Sequence, residues 1–119
     1  MGKIQNTTWL LTVRCSRSGY PWVDGRLEEM TPDESSVLNN YFFWAKLYDE
    51  GSKFGINGGR ISKLLIYKNG FGCSRHNASI LANYERGWDI QPKAKYEKEV
   101  LKRIVDGLEE TPKRLTESQ

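Results

Sequence analysis

The sequence predicts an α+β domain, in which an antiparallel β-meander of four to five strands carries a C-terminal helix on one face. Short segments rich in β-branched and aromatic residues follow one another with turn residues between them, and consecutive strands are usually neighbours in a sheet. One amphipathic segment near the end has the spacing of a helix laid on a sheet. A chain of 119 residues has the size of a single domain. We expect residues 1–6 and 111–119 to be frayed.

Two strands are predicted in the first quarter of the chain. Thr7–Cys15 is rich in β-branched and aromatic residues, which favour strands. Its alternation places four residues on one face: Trp9, Leu11, Val13 and Cys15. Trp22–Glu28 is the second strand, and its spacing turns Val23 and Leu27 toward the core.

Residues 29–40 interrupt the strand pattern and predict a short helix. Thr31 offers an N-cap, Pro32 stands at the first helical position, and two acidic residues follow in the first turn. The Asn39–Asn40 pair would end this helix. We therefore expect an insertion with helical structure between two strands.

Three more strands and the helix complete the prediction. The strands are Tyr41–Tyr48, Ile61–Tyr67 and Ile80–Ile90, the last bent at Gly87. Pro92 opens the helix at the position that proline favours. Its apolar stripe consists of Tyr96, Val100, Leu101, Ile104, Val105 and Leu108.

The connection between the two central strands, Asp49–Arg60, is the first candidate site. It is longer than most hairpin loops, which have about two to five residues. Successive backbone amides in such a loop can form an anion-binding nest, and an arginine adds a bidentate contact to phosphate or carboxylate. The residues predicted to bind here are Lys53, Asn57, Gly58, Gly59 and Arg60. The alternative is that the glycines only supply the backbone conformations of a long turn.

The segment Tyr84–Asp89 is the second candidate site. Tyr84 or Trp88 can stack on a base while Arg86 and Arg60 hold phosphate, which is the usual combination for nucleotides and single-stranded nucleic acid. The alternative is an ion network that pins the loop, in which the two arginines pair with nearby carboxylates. A further alternative is a divalent metal on those carboxylates. They are Asp49, Glu50 and Asp89.

Four tryptophans in so short a chain exceed the needs of one small core. The run Tyr41-Phe-Phe-Trp44 puts aromatic side chains on both faces of its strand, so one pair needs a cover. Exposed aromatic residues mark interfaces. This pattern predicts a surface for a partner protein or for a second copy of the chain.

Composition narrows the remaining function classes. A net charge of +3 and a pI of about 8.9 permit contact with phosphate without requiring it. The longest apolar run is far shorter than the roughly 20 residues of a membrane span. Cys15 and Cys73 are predicted to be reduced thiols of a cytoplasmic protein, and the single His76 to be solvated. No nucleophile–base pair or other catalytic signature stands out, so the chain reads as non-enzymatic and without a cofactor.

Four motifs carry a resemblance to a known family. They are Trp22-Val-x-Gly25, Ala45-Lys-x-Tyr-Asp-Glu50, Ser52-Lys-Phe-Gly-Ile-Asn-Gly-Gly-Arg-Ile-Ser-Lys-Leu64 and Asn83-Tyr-Glu-Arg-Gly-Trp-Asp89. Together they resemble a small uncharacterised domain family of low-GC Gram-positive bacteria, their phages and mobile elements. The resemblance covers about Trp22 to Leu108, and the N-terminal strand, residues 29–40 and residues 71–77 look like additions. It implies a phage or mobile-element origin, where small non-enzymatic proteins that block host defences are frequent.

Three hypotheses about function follow, in decreasing order of preference. The first is a binding protein that inhibits a host defence system, either by binding a protein effector or by sequestering a nucleotide-like signal. The second is an accessory protein that binds nucleic acid. The third is a carboxylate-based, metal-dependent enzyme.

Overall fold

The structure is a computed structural model that describes residues 7–68 and 79–112. Predictions about residues 1–6, residues 71–77 and the end of the C-terminal tail, with Cys73 and His76, lie outside this range. The secondary structure consists of β1 (Thr8–Cys15), β2 (Trp22–Met30), β3 (Val37–Leu47), β4 (Ile61–Lys68), β5 (Ser79–Glu85), β6 (Trp88–Ile90) and α1 (Lys95–Glu109), with a 3₁₀ turn at Ile56–Gly58.

The strands form one antiparallel sheet in the order β1-β2-β3-β4-β5-β6, which confirms the predicted meander. The predicted number of strands is too small. Residues 80–90 form a hairpin instead of one strand bent at Gly87. Arg86 takes a left-handed φ of 61° in the tight turn, and the Glu85 N–H donates to the carbonyl of Gly87 at 2.8 Å. The chain therefore reverses there and adds a sixth strand.

The predicted helix within residues 29–40 is wrong, because the capping residues stabilise a turn. The Thr31 hydroxyl accepts hydrogen bonds from two backbone amides of the turn, and the Asp33 carboxylate accepts one of them as well. Glu34 has a φ of 62°, which no right-handed helix permits. The Asn39–Asn40 pair lies inside β3. Local side-chain bonds of this kind compete with helix formation.

The C-terminal helix is confirmed, with its first residue three positions after Pro92. The Glu97 carboxylate accepts hydrogen bonds from the N–H groups of Lys93 and Ala94, each at 3.3 Å, and so satisfies free donors of the helix start. Tyr96 is 59% exposed and does not belong to the buried stripe, contrary to the prediction. The fully buried residues of the stripe are Val100, Ile104 and Leu108.

The helix covers one face of the sheet, and a single core lies between them. Tyr41 and Phe43 of β3 are each 1% exposed on this core face, and the predicted pair Val23 and Leu27 is buried there too. Because side chains alternate along a strand, Phe42 and its like-facing neighbours point to the other side, which we call the open face. No helix within the described ranges is long and apolar enough to cross a membrane.

Candidate functional site

The glycine-rich loop uses several of its backbone donors within itself, including those of three glycines. The N–H groups of Gly55, Gly58 and Gly59 donate to loop carbonyls at 3.0, 2.9 and 2.9 Å. Asn57 and Gly58 have left-handed φ angles of 54° and 75°, which a tight turn requires. These observations favour the conformational interpretation of the glycines over a nest of amides open to an anion.

Arg60 joins this loop to the end of α1. Its guanidinium donates to the carbonyl oxygens of Tyr48, Glu109 and Thr111 at 2.8, 2.9 and 2.8 Å. The last carbonyls of a helix lack partners within the helix and favour a cation. Arg60 therefore pins the loop, as one of the predicted alternatives proposes, although its acceptors are main-chain carbonyls.

The anion that meets this loop belongs to the protein itself. The Glu109 carboxylate accepts a hydrogen bond from the backbone N–H of Arg60 at 2.8 Å. It packs so closely on Gly59 that a Cβ there would lie 2.1 Å from Oε2. Close packing against Glu109 therefore explains the glycine at position 59 without a ligand.

Tyr84, Trp88 and Lys53 also support the loop. The Tyr84 side chain is buried, its hydroxyl donates to the carbonyl of Phe54 at 2.8 Å, and its ring meets Trp88 edge-on at 5.0 Å. The Lys53 ammonium lies 5.4 Å from the Phe54 ring centroid. Each of these three predicted ligand contacts therefore has a partner within the loop or in the adjacent hairpin.

A cavity of about 620 Å³ lies beside the loop, within the range of small-molecule sites. Its walls come from the β1–β2 turn, the glycine-rich loop, neighbouring residues of β3 and β4, and the β5–β6 turn. Of the eight residues predicted to bind a ligand or partner, Arg86 lines it. The other lining side chains include the rings of Tyr20, Tyr48 and Phe54 and the ammonium groups of Lys46 and Lys63.

Three cations of the cavity have defined contacts. Lys63 donates to the Glu85 carboxylate at 2.6 Å, and this hydrogen bond and charge lower the pKa of Glu85. The Arg86 guanidinium lies 4.9 Å from the Phe54 ring centroid, and the Lys46 ammonium lies 4.9 Å from the Trp22 ring centroid. Two of these three cations therefore lie over aromatic rings, and the third is paired with a carboxylate.

The carboxylates proposed for a metal do not assemble one. Asp49 and Glu50 line the cavity, while Asp89 is an exposed residue of β6. In the described part of the chain, no group of three or more His, Cys, Asp or Glu side chains is arranged to hold a metal ion. The arrangement around the cavity is suited to binding by charge, hydrogen bonds and stacking.

The open face carries a second candidate surface. Trp22 and Trp44 stack with centroids 4.3 Å apart and planes 16° apart, and Phe42 stacks on Tyr67 at 5.8 Å and 22°. We call these four residues the aromatic patch. Strand pairing extends it with Leu65 opposite Trp44 and with Ile80 opposite Tyr67. The sequence predicts aromatic side chains on both faces of β3, and that prediction is confirmed.

The sequence reasoning missed Tyr20, Lys46 and Lys63 as members of a site. Tyr20 reaches the cavity from a distant turn, where its hydroxyl accepts a hydrogen bond from the N–H of Asp49 at 2.9 Å. Lys46 and Lys63 stand directly opposite each other on β3 and β4. Two facing lysines on predicted neighbouring strands are a usable signal, because like charges in that position are unfavourable.

The family match covers nearly the same residues as the resemblance found in the sequence. Neither a curated protein nor a solved structure matches the chain. A family model described as "Domain of unknown function (DUF7678)" matches residues 21–109, about three quarters of the chain, from the start of β2 to the end of α1. Strand β1, predicted to be an addition, lies outside this match, whereas residues 29–40 lie inside it. The chain therefore belongs to this family of domains of unknown function, DUF7678.

Proposed function

We propose that the protein is a non-enzymatic binding protein that holds a partner protein on its open face. The observation that carries the proposal is the aromatic patch, whose four side chains are each half-buried on the sheet face opposite the described helix. A contiguous apolar patch rimmed by polar residues is typical of a protein–protein interface. Trp and Tyr are also the residues most enriched where binding energy concentrates.

The charges around the patch favour a protein over nucleic acid. Arg14 pairs with Asp24 at 2.6 Å and Arg26 with Glu28 at 3.5 Å. A nucleic-acid surface needs cations that replace the counterions of phosphates, and these two arginines already have acidic partners. A rim of mixed sign around an aromatic centre instead resembles the rim of a protein interface.

The biological setting of this proposal comes from the sequence resemblance. A phage or mobile-element origin implies that the partner is an effector protein of a host defence system, which the protein would inhibit by covering it.

The test is affinity capture from a lysate of a low-GC Gram-positive bacterium, with three versions of the protein. Trp44→Ala removes half of the tryptophan stack, and Tyr96→Ala removes an exposed ring on α1, on the other side of the sheet. We expect a defence protein to be recovered with the parent and with Tyr96→Ala. Trp44→Ala should recover about tenfold less or lower still, because a central Trp contributes about 2 kcal/mol or more to binding.

Circular dichroism and light scattering complete this experiment. Both variants should keep the parent spectrum, which separates lost binding from lost folding. Equal recovery with parent and Trp44→Ala contradicts the proposal. A dimer of the chain that Trp44→Ala dissociates also contradicts it, since the occupant of the open face is then a second copy.

A further inference from the structure

The cavity beside the glycine-rich loop contains an arrangement of charge that the fold itself does not explain. Lys46 and Lys63 are direct cross-strand neighbours in β3 and β4, and both line the cavity. Like charges in directly opposite positions destabilise a sheet. Glu85 on the next strand is hydrogen-bonded to Lys63 and attracts Lys46 only at longer range, and Lys46 faces Trp22 on its other side. A bound anion would lie between the two ammonium groups and relieve their repulsion.

A third cation is fixed at the same wall by the backbone. Arg86 lines the cavity from the β5–β6 turn, where its φ of 61° is uncommon for a residue with a side chain. Its N–H donates to the carbonyl of Ser62 at 3.2 Å, which ties the turn to β4. Strained positions of this kind cluster at ligand sites. The contact with the Phe54 ring uses the charge of the guanidinium and not its N–H donors.

Aromatic side chains also line the cavity. Tyr20, Tyr48 and Phe54 line it and are 38, 38 and 43% exposed, so each residue is partly accessible to solvent. Tyr20 and Tyr48 meet edge-on at 6.1 Å, and the Tyr20 hydroxyl is held by the N–H of Asp49. Exposed rings held in this way offer stacking surfaces to a planar ligand.

We propose that this cavity binds a nucleoside phosphate, with the phosphate among Lys46, Lys63 and Arg86 and the base stacked on one of the exposed rings. The carboxylates of Asp49 and Glu50 also line the cavity. They disfavour a bare phosphate and accept N–H groups of a base. The cavity adjoins the aromatic patch at Lys46, whose ammonium lies over Trp22, but Arg86 and the three exposed rings belong to the cavity alone. Loss of nucleotide binding in Arg86→Gly and loss of partner binding in Trp44→Ala therefore test the two proposals separately.

The test is isothermal titration calorimetry of the full chain with guanosine 5′-monophosphate, guanosine and ribose 5-phosphate. We expect the nucleotide to bind at least about tenfold more tightly than either fragment, because it alone uses both the cations and the rings. An absence of heat with the nucleotide at millimolar concentration overturns the proposal. Equal affinity for the nucleotide and ribose 5-phosphate also overturns it, because the rings then take no part.

Variants locate the site and separate binding from folding. Arg86→Gly removes the guanidinium and suits the left-handed turn, and Lys46→Gln removes one of the facing charges. Each should weaken nucleotide binding about tenfold with a melting temperature close to that of the parent. Lys102→Ala is the matched control, since Lys102 is an exposed cation on α1 paired with Asp106. Binding unchanged in Arg86→Gly and Lys46→Gln excludes the cavity as the site.

Discussion

Arg60 contacts Glu109 twice, once through its backbone N–H to the carboxylate at 2.8 Å and once through its guanidinium to the carbonyl at 2.9 Å. The two contacts connect the glycine-rich loop to the last turn of α1, across 49 residues of sequence. An arginine beside glycines suggests a phosphate site when only the sequence is known. In the folded chain the helix end supplies both the acceptor carbonyls and the carboxylate.

Replacing Glu109 by Ala should destabilise the protein by about 1–2 kcal/mol, because the Arg60 N–H loses its acceptor in a part-buried position. Urea unfolding followed by tryptophan fluorescence measures this change. Glu109→Gln keeps an acceptor oxygen and should lose less than half as much. Glu110→Ala, at an exposed neighbouring position, is the control and should lie within about 0.5 kcal/mol of the parent. Equal stability of Glu109→Ala and Glu110→Ala would contradict this role.

The parts of the fold that follow from periodicity could be predicted, and those fixed by local bonds could not. The buried pair Val23 and Leu27 and the helix stripe follow from spacings of two, three and four residues. The turn at residues 31–36 could not be predicted in this way, because Thr31 caps a turn in the same way that it would cap a helix. The β5–β6 hairpin depends on Arg86 taking a φ of 61°, a conformation that the sequence suggests only for the adjacent Gly87.

Of the two candidate sites, one could be predicted from the sequence and the other could not. The open face was within reach of the sequence, because alternation alone puts Phe42 and Trp44 opposite Tyr41 and Phe43. The cavity was not, since its walls come from four segments that are distant along the chain. Lys46 and Lys63 are paired in the continuous register of β3 and β4, so this part of the wall could have been found from two lysines on neighbouring strands, whereas the contributions of Tyr20 and Arg86 could not.

Substitutions at Arg86 should report the strain of the β5–β6 turn. Arg86→Gly accepts the left-handed backbone at no steric cost, while Arg86→Val combines it with a β-branched side chain. We expect Arg86→Val to be less stable than Arg86→Gly by about 1 kcal/mol or more. Thermal unfolding of the two variants measures the difference, which is independent of the guanidinium because both lack it. A Val variant as stable as the Gly variant would show that the turn does not need this conformation.

The turn at residues 31–36 should depend on acid. Hydrogen bonds from Thr31 and Ser35 lower the pKa of Asp33 from 3.8 to about 2. Because the pKa is lower in the folded state, the stabilisation is fully present above the ordinary value of 3.8 and is lost as the pH falls toward 2. An NMR titration of the Asp33 carboxyl carbon measures this pKa. Thr31→Val should raise it toward the ordinary value, and the exposed-strand control Thr12→Val should leave it unchanged; a pKa unmoved by Thr31→Val would contradict the turn geometry.

Gly25, the one glycine within the described strands, should not tolerate a side chain. It lies in β2 between Val13 of β1 and Phe43 of β3, and a Cβ there would lie 1.9 Å from the Thr12 carbonyl oxygen and 2.8 Å from Cζ of Phe43. The carbonyl belongs to the neighbouring strand, so the clash cannot be relieved by a side-chain rotation.

Gly25→Ala should therefore displace β1 and destabilise the protein by about 1–3 kcal/mol, the usual cost of overpacking. Gly87→Ala is the control, because nothing lies within 4 Å of a Cβ at that position. Hydrogen exchange gives the sharper measurement, since the amides of β1 should lose protection in Gly25→Ala while those of β3 and β4 keep theirs. Strand β1 lies at the edge of the sheet and outside the family match, so we expect its displacement to leave the pairing of the other five strands unchanged. Parent-like protection of β1 in Gly25→Ala would mean that β1 does not lie this close to Gly25.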